Sequence, residues 1–151
     1  MALHLGSADV RVIARNAEAP VFSPDGSRIA LLGYPNGNRI GRNKKGLPQN
    51  TDLYVKSIGE RRLRRLTNTV YRWESKPSWD PSGERLAYAR NSTNEVLPFG
   101  FSNVVMEINR DGTCGRKLFD PRRESKGPFN ASVYGPAWRP GPGREAGRIA
   151  C

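Results

Sequence analysis

The feature that most restricts what this chain can fold into is an internal repeat. The segment Ala19-Pro20-Val21-Phe22-Ser23-Pro24-Asp25-Gly26-Ser27-Arg28-Ile29-Ala30-Leu31 returns as Lys76-Pro77-Ser78-Trp79-Asp80-Pro81-Ser82-Gly83-Glu84-Arg85-Leu86-Ala87-Tyr88. A looser third copy runs Gly135-Pro136-Ala137-Trp138-Arg139-Pro140-Gly141-Pro142-Gly143 and resumes at Arg148-Ile149-Ala150-Cys151. Their leading prolines, Pro20, Pro77 and Pro136, lie 57 and 59 residues apart. A fixed period of several tens of residues marks a repeat architecture, in which each unit buries its apolar surface against its neighbours.

Each piece of the period has a physical reason. Ser23-Pro24-Asp25-Gly26 is a turn: Pro presets φ, Asp bonds the local backbone and Gly accepts positive φ. Between Val21-Phe22 and Ile29-Ala30-Leu31 it predicts a β-hairpin, and Asp80-Pro81-Ser82-Gly83 predicts a second. Ser57-Ile58-Gly59 and Arg110-Asp111-Gly112 then mark a further hairpin in each period. They follow Asp52-Leu53-Tyr54-Val55 and Val104-Val105-Met106-Glu107-Ile108, and lead into Leu63–Thr67 and Lys117-Leu118-Phe119. One period is therefore four short strands, A to D, in a meander. A lone four-stranded sheet cannot bury both faces, so neighbouring sheets must stack, and radial stacking of such sheets is a β-propeller.

Composition agrees with an all-β reading. Of 151 residues only 36% are apolar, while 16 Gly and 12 Pro punctuate the chain and the mean hydropathy is −0.66. A helical bundle does not fit such a composition. Thirteen aromatic residues and recurrent β-branched patches argue against disorder over most of the length. No apolar run approaches the roughly 18 residues of a membrane-spanning helix. The net charge of +11 is carried mostly by arginine, 19 Arg against 6 Lys, spread along the chain. Such an excess is the electrostatic footprint of a nucleic-acid binder. A G+C-rich genome produces the same bias with no function attached, and that reading comes first, since net charge does not decide specificity.

The pattern Pro-x-aromatic-Ser-Pro-Asp-Gly-x-Arg-Ile-Ala, followed by Asp-Leu-Tyr-Val and Arg-Arg-Leu-Thr, resembles the WD-like repeat of TolB-type six-bladed propellers. The closest copy runs from Pro20 to Thr67, the second departs at Asp80 and Ser82, and the third is cut short. The resemblance covers roughly residues 19–151 and implies a non-catalytic module that binds another protein, as TolB binds a peptidoglycan-associated lipoprotein. The same repeat also resembles the propellers of prolyl-oligopeptidase-like serine peptidases, so a peptidase propeller without its catalytic domain is the alternative. TolB-like relatives are often periplasmic or secreted. Here Met1 to Asp9 shows neither a basic region nor an apolar core, so no signal peptide is expected and the compartment stays open.

Strand counting divides the chain unevenly. Residues 1–16, with Ala2–Leu5 and Val10–Ala14, resemble strands C and D of a preceding blade. Residues 17–67 and 68–119 make two full blades. Residues 120–151 supply a loop and strands A and B of a following one. Three blades' worth of strands is half of six. Either the chain is a segment of a longer propeller, or it is a homodimer in which each copy's A–B pair completes the other's C–D pair and leaves no open edge.

The chemistry-bearing residues point away from catalysis. No Gly-x-Ser-x-Gly elbow occurs, His4 is the single histidine, and neither a paired-carboxylate motif nor a phosphate-binding glycine loop is present. Cys114 and Cys151 form no CxxC, so no metal site or cofactor is expected, and a disulfide between them is left open. Phe22, Trp79 and Trp138 are expected to pack between blades, and Asp25 and Asp80 to hold turns. The run Arg61-Arg62-Leu63-Arg64-Arg65 falls on strand D, where edge charges discourage aggregation.

Binding is expected on the face built by the long B–C and D–A connections, since loops on a rigid scaffold carry most recognition. That face gathers Tyr34, Arg39, Arg42, Lys44 and Lys45 from the first B–C loop and Phe99 and Phe101 from the second. The D–A loops add Tyr71, Arg72 and Trp73, then Arg122, Arg123, Lys126 and Tyr134. Tyr, Trp and Arg are the types enriched at binding hot spots. The nucleic-acid reading lacks an aromatic–basic stacking platform and rests on charge alone.

Overall fold

A computed structural model describes residues 2–3, 10–35, 50–69, 72–91, 103–124, 135–138 and 151. Their architecture is all-β, apart from a single helical turn at Pro121–Glu124. Strands β1 (Ala2–Leu3) and β2 (Val10–Arg11) form a short antiparallel pair. One four-stranded sheet follows chain order through β3 (Ala17–Phe22), β4 (Arg28–Gly33), β5 (Asp52–Ser57) and β6 (Arg64–Arg65). A second does the same through β7 (Glu74–Trp79), β8 (Arg85–Asn91), β9 (Asn103–Asn109) and β10 (Arg116–Phe119). Both are antiparallel meanders.

The hairpin turns form as their residues dictate, with one exchange of chemistry. Gly26 and Gly83 hold φ of 68° and 70°, a region closed to most side chains. In the first turn Ser23 Oγ donates to Asp25, whose Oδ1 accepts the Ser27 N–H at 3.0 Å. In the second the two residue types trade places: Ser82 Oγ donates to Asp80 Oδ2 at 2.7 Å, and Asp80 Oδ1 accepts the Glu84 N–H at 3.0 Å. The first residue of either turn closes the hairpin, for Ser23 Oγ accepts the Arg28 N–H at 2.9 Å and Asp80 Oδ1 the Arg85 N–H at 3.0 Å. The departure at Asp80 and Ser82 is thus a swap that keeps the same hydrogen-bonded pair. Asp25 and Asp80 both spend their oxygens on these turns.

Both sheets also carry the same bulge. Pairing of β3 with β4 slips between Glu18 and Val21, and pairing of β7 with β8 slips between Ser75 and Ser78. The bulged residues Ala19 and Lys76 take φ of 49° and 50°, each just before a proline. A bulge leaves a residue outside the ladder, which is where a residue with no N–H is tolerated.

The core lies between the two sheets. Ala30, Leu32, Leu53 and Val55 from one face of the first meet Leu86, Tyr88 and Ile108 of the second, with Trp79 and Leu66 completing the cluster. The period-two alternation of β-strands assigns the faces. By the repeat, Leu86 and Tyr88 correspond to Ile29 and Leu31, which lie on the opposite face of the first sheet. The sheets therefore stack in the same sense, each setting its Ala30/Leu32-type face against the next one's Leu86/Tyr88-type face. Ile29 and Leu31 are buried too, and Lys56 Nζ ties the overlying segment down by donating to Ile13 O at 3.0 Å.

Two hydrogen bonds repeat with that stacking. Trp79 Nε1 donates to Val21 O and Trp138 Nε1 to Ser78 O, both at 3.1 Å. Val21 and Ser78 are equivalent positions, so Trp138 sits on the second sheet as Trp79 sits on the first. The Arg85 guanidinium lies 5.0 Å from the Trp138 ring centre, a cation–π contact. Phe22 occupies the corresponding position of the first repeat and is 51% exposed. Residue 151 is tied back to the β9–β10 turn by a disulfide between Cys114 and Cys151, answering the pairing that the sequence left open.

Candidate interaction face

Strand directions send the turns 23–27, 58–63, 80–84 and 110–115 to one end of the sheets. The connections 34–51, 66–73 and 92–102 leave from the other, where β4, β6 and β8 finish and β5, β7 and β9 begin. At that second end lies a cluster of buried and half-buried polar side chains. Asp52 opens β5, Thr67 and Thr69 follow β6, Glu74 opens β7, and Arg90 stands one residue from the end of β8.

These groups form one network. Asp52 Oδ1 accepts the Thr69 N–H at 2.9 Å, while Oδ2 accepts from Asn50 Nδ2 at 3.1 Å and from the Arg65 guanidinium. Glu74 Oε2 accepts the Leu53 N–H at 2.9 Å and the Thr67 hydroxyl. Its other oxygen takes two guanidinium N–H groups of Arg90, at 2.7 and 3.1 Å. Thr51 Oγ1 accepts the Glu74 N–H and donates to the Glu74 carbonyl, both at 2.7 Å. Two carboxylates face two guanidiniums, so the network is neutral as a whole. Burial raises the Glu74 carboxyl above its usual pKa, while the Arg90 charge and the Thr67 hydroxyl pull it back. Burial also pushes the Tyr88 hydroxyl up, and the Glu74 charge adds to it. A raised carboxylate is a feature of acid–base sites, yet each oxygen of this pair is taken up by protein donors. Its action is to clamp the first sheet to the entry of β7.

A backbone staple lies beside the network in each repeat. The Tyr34 N–H donates to Asn16 O, and the Asn91 N–H to Trp73 O, both at 3.0 Å. These are equivalent positions, and they fix the start of each B–C connection to the entry of its own strand A. The second staple is doubled, because Asn91 Oδ1 accepts the Trp73 N–H at 2.5 Å and Arg72 Nη1 donates to the Asn91 carbonyl at 3.1 Å. The aromatic partner changes sides, Tyr34 in the first repeat and Trp73 in the second. Tyr34 is half-buried, whereas Trp73 is 43% exposed on a backbone held from both directions.

Of the residues expected to form the binding face, Tyr34, Arg72 and Trp73 thus lie at this end of the sheets, each beside a staple. Arg122 and Arg123 fall in the helical turn after β10, with Arg123 exposed. Arg39, Arg42, Lys44, Lys45, Tyr71, Phe99, Phe101, Lys126 and Tyr134 lie outside the described residues. Asp52, Thr67, Glu74 and Arg90 went unremarked in the sequence as a cluster. The Asp-Leu-Tyr-Val and Leu-Thr motifs contain two of them, but the pairing spans from residue 52 to residue 90 and no local pattern carries it. Among the described residues no three His, Cys, Asp or Glu side chains gather as metal ligands. Comparison with protein-family models and with curated proteins returned no match to this chain.

Proposed function

We propose that the chain is a non-catalytic protein-interaction module built from propeller-type blades of the TolB-like kind, binding through the end from which the B–C and D–A connections leave. Trp73 carries this reading. A large apolar side chain is normally withdrawn from water, and an exposed indole on a rigid backbone loses little freedom when a partner covers it. Arg72 stands beside it, and Trp and Arg are over-represented among residues that dominate binding energy. The clamp beneath, Asp52 to Glu74 to Arg90, supplies the fixed platform.

A photo-crosslinking residue introduced at position 73 tests the reading. It is expected to trap one discrete protein from an extract of the source cells, and the same residue at position 58, on the opposite end, is expected not to. Trp73→Ala should weaken capture of that protein at least about tenfold, as for a hot-spot residue, without lowering the melting temperature. A variant that unfolds, or that binds as the parent does, removes Trp73 from any binding role.

The stacking sense favours one addition to this reading. Trp79 and Trp138 each lie on a preceding repeat, and Phe22 stands half-exposed at the same position. The seat before Phe22 suits a further repeat, and a second copy of the chain can supply one while closing six blades. Light scattering is expected to give twice the chain mass for the parent and a lower mass for Phe22→Ser. A monomeric parent rules out the homodimer and leaves the proposed binding face untouched.

A further inference from the structure

The arginine run that looked like edge protection does something more specific. Arg65 turns to Asp52 and joins the buried clamp, while Arg62 and Arg64 turn the other way. They line a cleft of about 680 Å³ together with Arg28, Val55, Ser57, Glu60, Arg110 and Asp111. Those residues come from four separate places: the start of β4, the end of β5, the 58–64 turn and strand, and the β9–β10 turn of the second sheet. Gly112 closes the arrangement, since a Cβ there would lie 3.3 Å from the Leu66 carbonyl oxygen. The second sheet's turn thus rests on Leu66, just past the outer strand of the first, and the cleft lies beside that contact. It lies at the opposite end from Trp73.

Two of the four guanidiniums that line this cleft are already paired. Arg28 is 3.8 Å from Asp25, and Arg110 holds Glu84 at 2.8 Å. Asp111 spends Oδ1 on its own turn, accepting from Thr113 N–H at 3.1 Å and Thr113 Oγ1 at 2.6 Å. Among the described residues neither Arg62 nor Arg64 has a carboxylate within ion-pair distance, nor a hydrogen bond from its guanidinium. With Arg28 and Arg110 paired to Asp25 and Glu84, what the hollow offers is two unpaired guanidiniums, Arg62 and Arg64, with Glu60 and Asp111 in the same lining. Edge protection needs charges that point outward into water; it does not need them converged on a shared hollow. A guanidinium offers a planar fork of donors matched to phosphate oxygens. Among the described residues of the lining Val55 is the single apolar side chain and none is aromatic, so none of them would stack on a base or a sugar. The volume lies within the range of small-ligand pockets and far exceeds one phosphate.

We propose that this cleft is an anion site for a small, multiply charged phosphate ligand of the di- or polyphosphate class, gripped chiefly by Arg62 and Arg64 and walled by Arg28 and Arg110. The site is independent of the proposed binding face.

Calorimetric titration of the full chain with sodium tripolyphosphate, at low and at physiological salt, tests it. The parent is expected to show one saturable site that weakens as salt screens it. Arg62→Gln with Arg64→Gln should lose at least about tenfold in affinity. Arg15→Gln with Arg61→Gln removes the same two charges from exposed positions outside the cleft, and should stay within about twofold of the parent if the effect is local. Glu60→Gln should tighten binding by removing a like charge. Neither arginine pair holds a structural hydrogen bond, so both double variants should melt with the parent. Equal losses in the two double variants would make the binding a property of net charge alone and overturn the proposal. So would an absence of tripolyphosphate binding alongside retention of a single-stranded oligonucleotide.

Discussion

Glu74 is a carboxylate whose surroundings pull in opposite directions, and the balance fixes how it responds to acid. Burial lifts its pKa above the usual 4.5 more than Arg90 and Thr67 lower it. Between 4.5 and that raised value the folded chain keeps a proton that the unfolded chain has released. Stability therefore falls as pH rises through this window, and the group costs nothing below it. Asp25 has the opposite sign: hydrogen bonds from Ser23 and then Ser27 hold its carboxyl far below the usual 3.8, so it stabilises the fold above that value and ceases to as pH falls below it. Glu74→Gln keeps an acceptor for the Leu53 N–H and abolishes the titration. Urea unfolding at stepped pH should show the parent losing stability above pH 4.5 while the variant's curve is flatter there. A variant curve that drops in parallel with the parent's would assign the proton to another group.

At the scale of elements, the hairpins were the part most legible in the sequence. Pro24, Gly26, Pro81 and Gly83 act on their immediate neighbours, and local chemistry of that kind needs no knowledge of the rest of the chain. The two turns are also interchangeable in a way that can be measured. Ser23→Asp with Asp25→Ser gives the first turn the second one's order of side chains, and it should fold within about 1 kcal/mol of the parent because the hydrogen-bonded pair is kept. Ser23→Ala breaks the pair and removes the acceptor for the Arg28 N–H, and should cost more than the double change. Chemical denaturation of the three proteins decides it; a double variant weaker than the single would show that the turns differ by more than this pair. Element ends were less legible. Leu63–Thr67 was expected as a strand, but only Arg64–Arg65 pairs with β5, because the Leu66 and Thr67 N–H groups both turn to the Leu53 carbonyl. β2 likewise stops at Arg11, short of the expected Ala14, while His4 and Leu5 lie outside the described residues.

Across the whole molecule, the repeat predicted that sheets must stack, and the order of faces shows that two of them do so in one constant sense. The residues that join distant parts escaped the sequence, for a physical reason. The Asp52–Arg65 and Glu74–Arg90 pairs, the Trp138 seat on Ser78 and the hollow around Arg62 and Arg64 all depend on where separate strands come to lie, and no spacing along the chain encodes them. The expected binding residues were legible as a type, aromatic and basic side chains on long connections. What raised Trp73 above the others was its staple to Asn91.

The bond between Cys114 and Cys151 gives the molecule a covalent ring of chain, and Gly135–Trp138 lies inside it. Among the described residues, the Trp138 indole and the close approach of Gly135 to Lys76 also seat the third repeat on the second. With the ring closed, an undocked third repeat is held at both ends, so its effective concentration at the seat is higher than the peptide connection alone would give. Thiol-reducing surroundings open the ring and oxidising ones keep it closed. The attachment of one repeat is thereby made a function of redox poise, while the hairpins and the buried clamp of the first two are not.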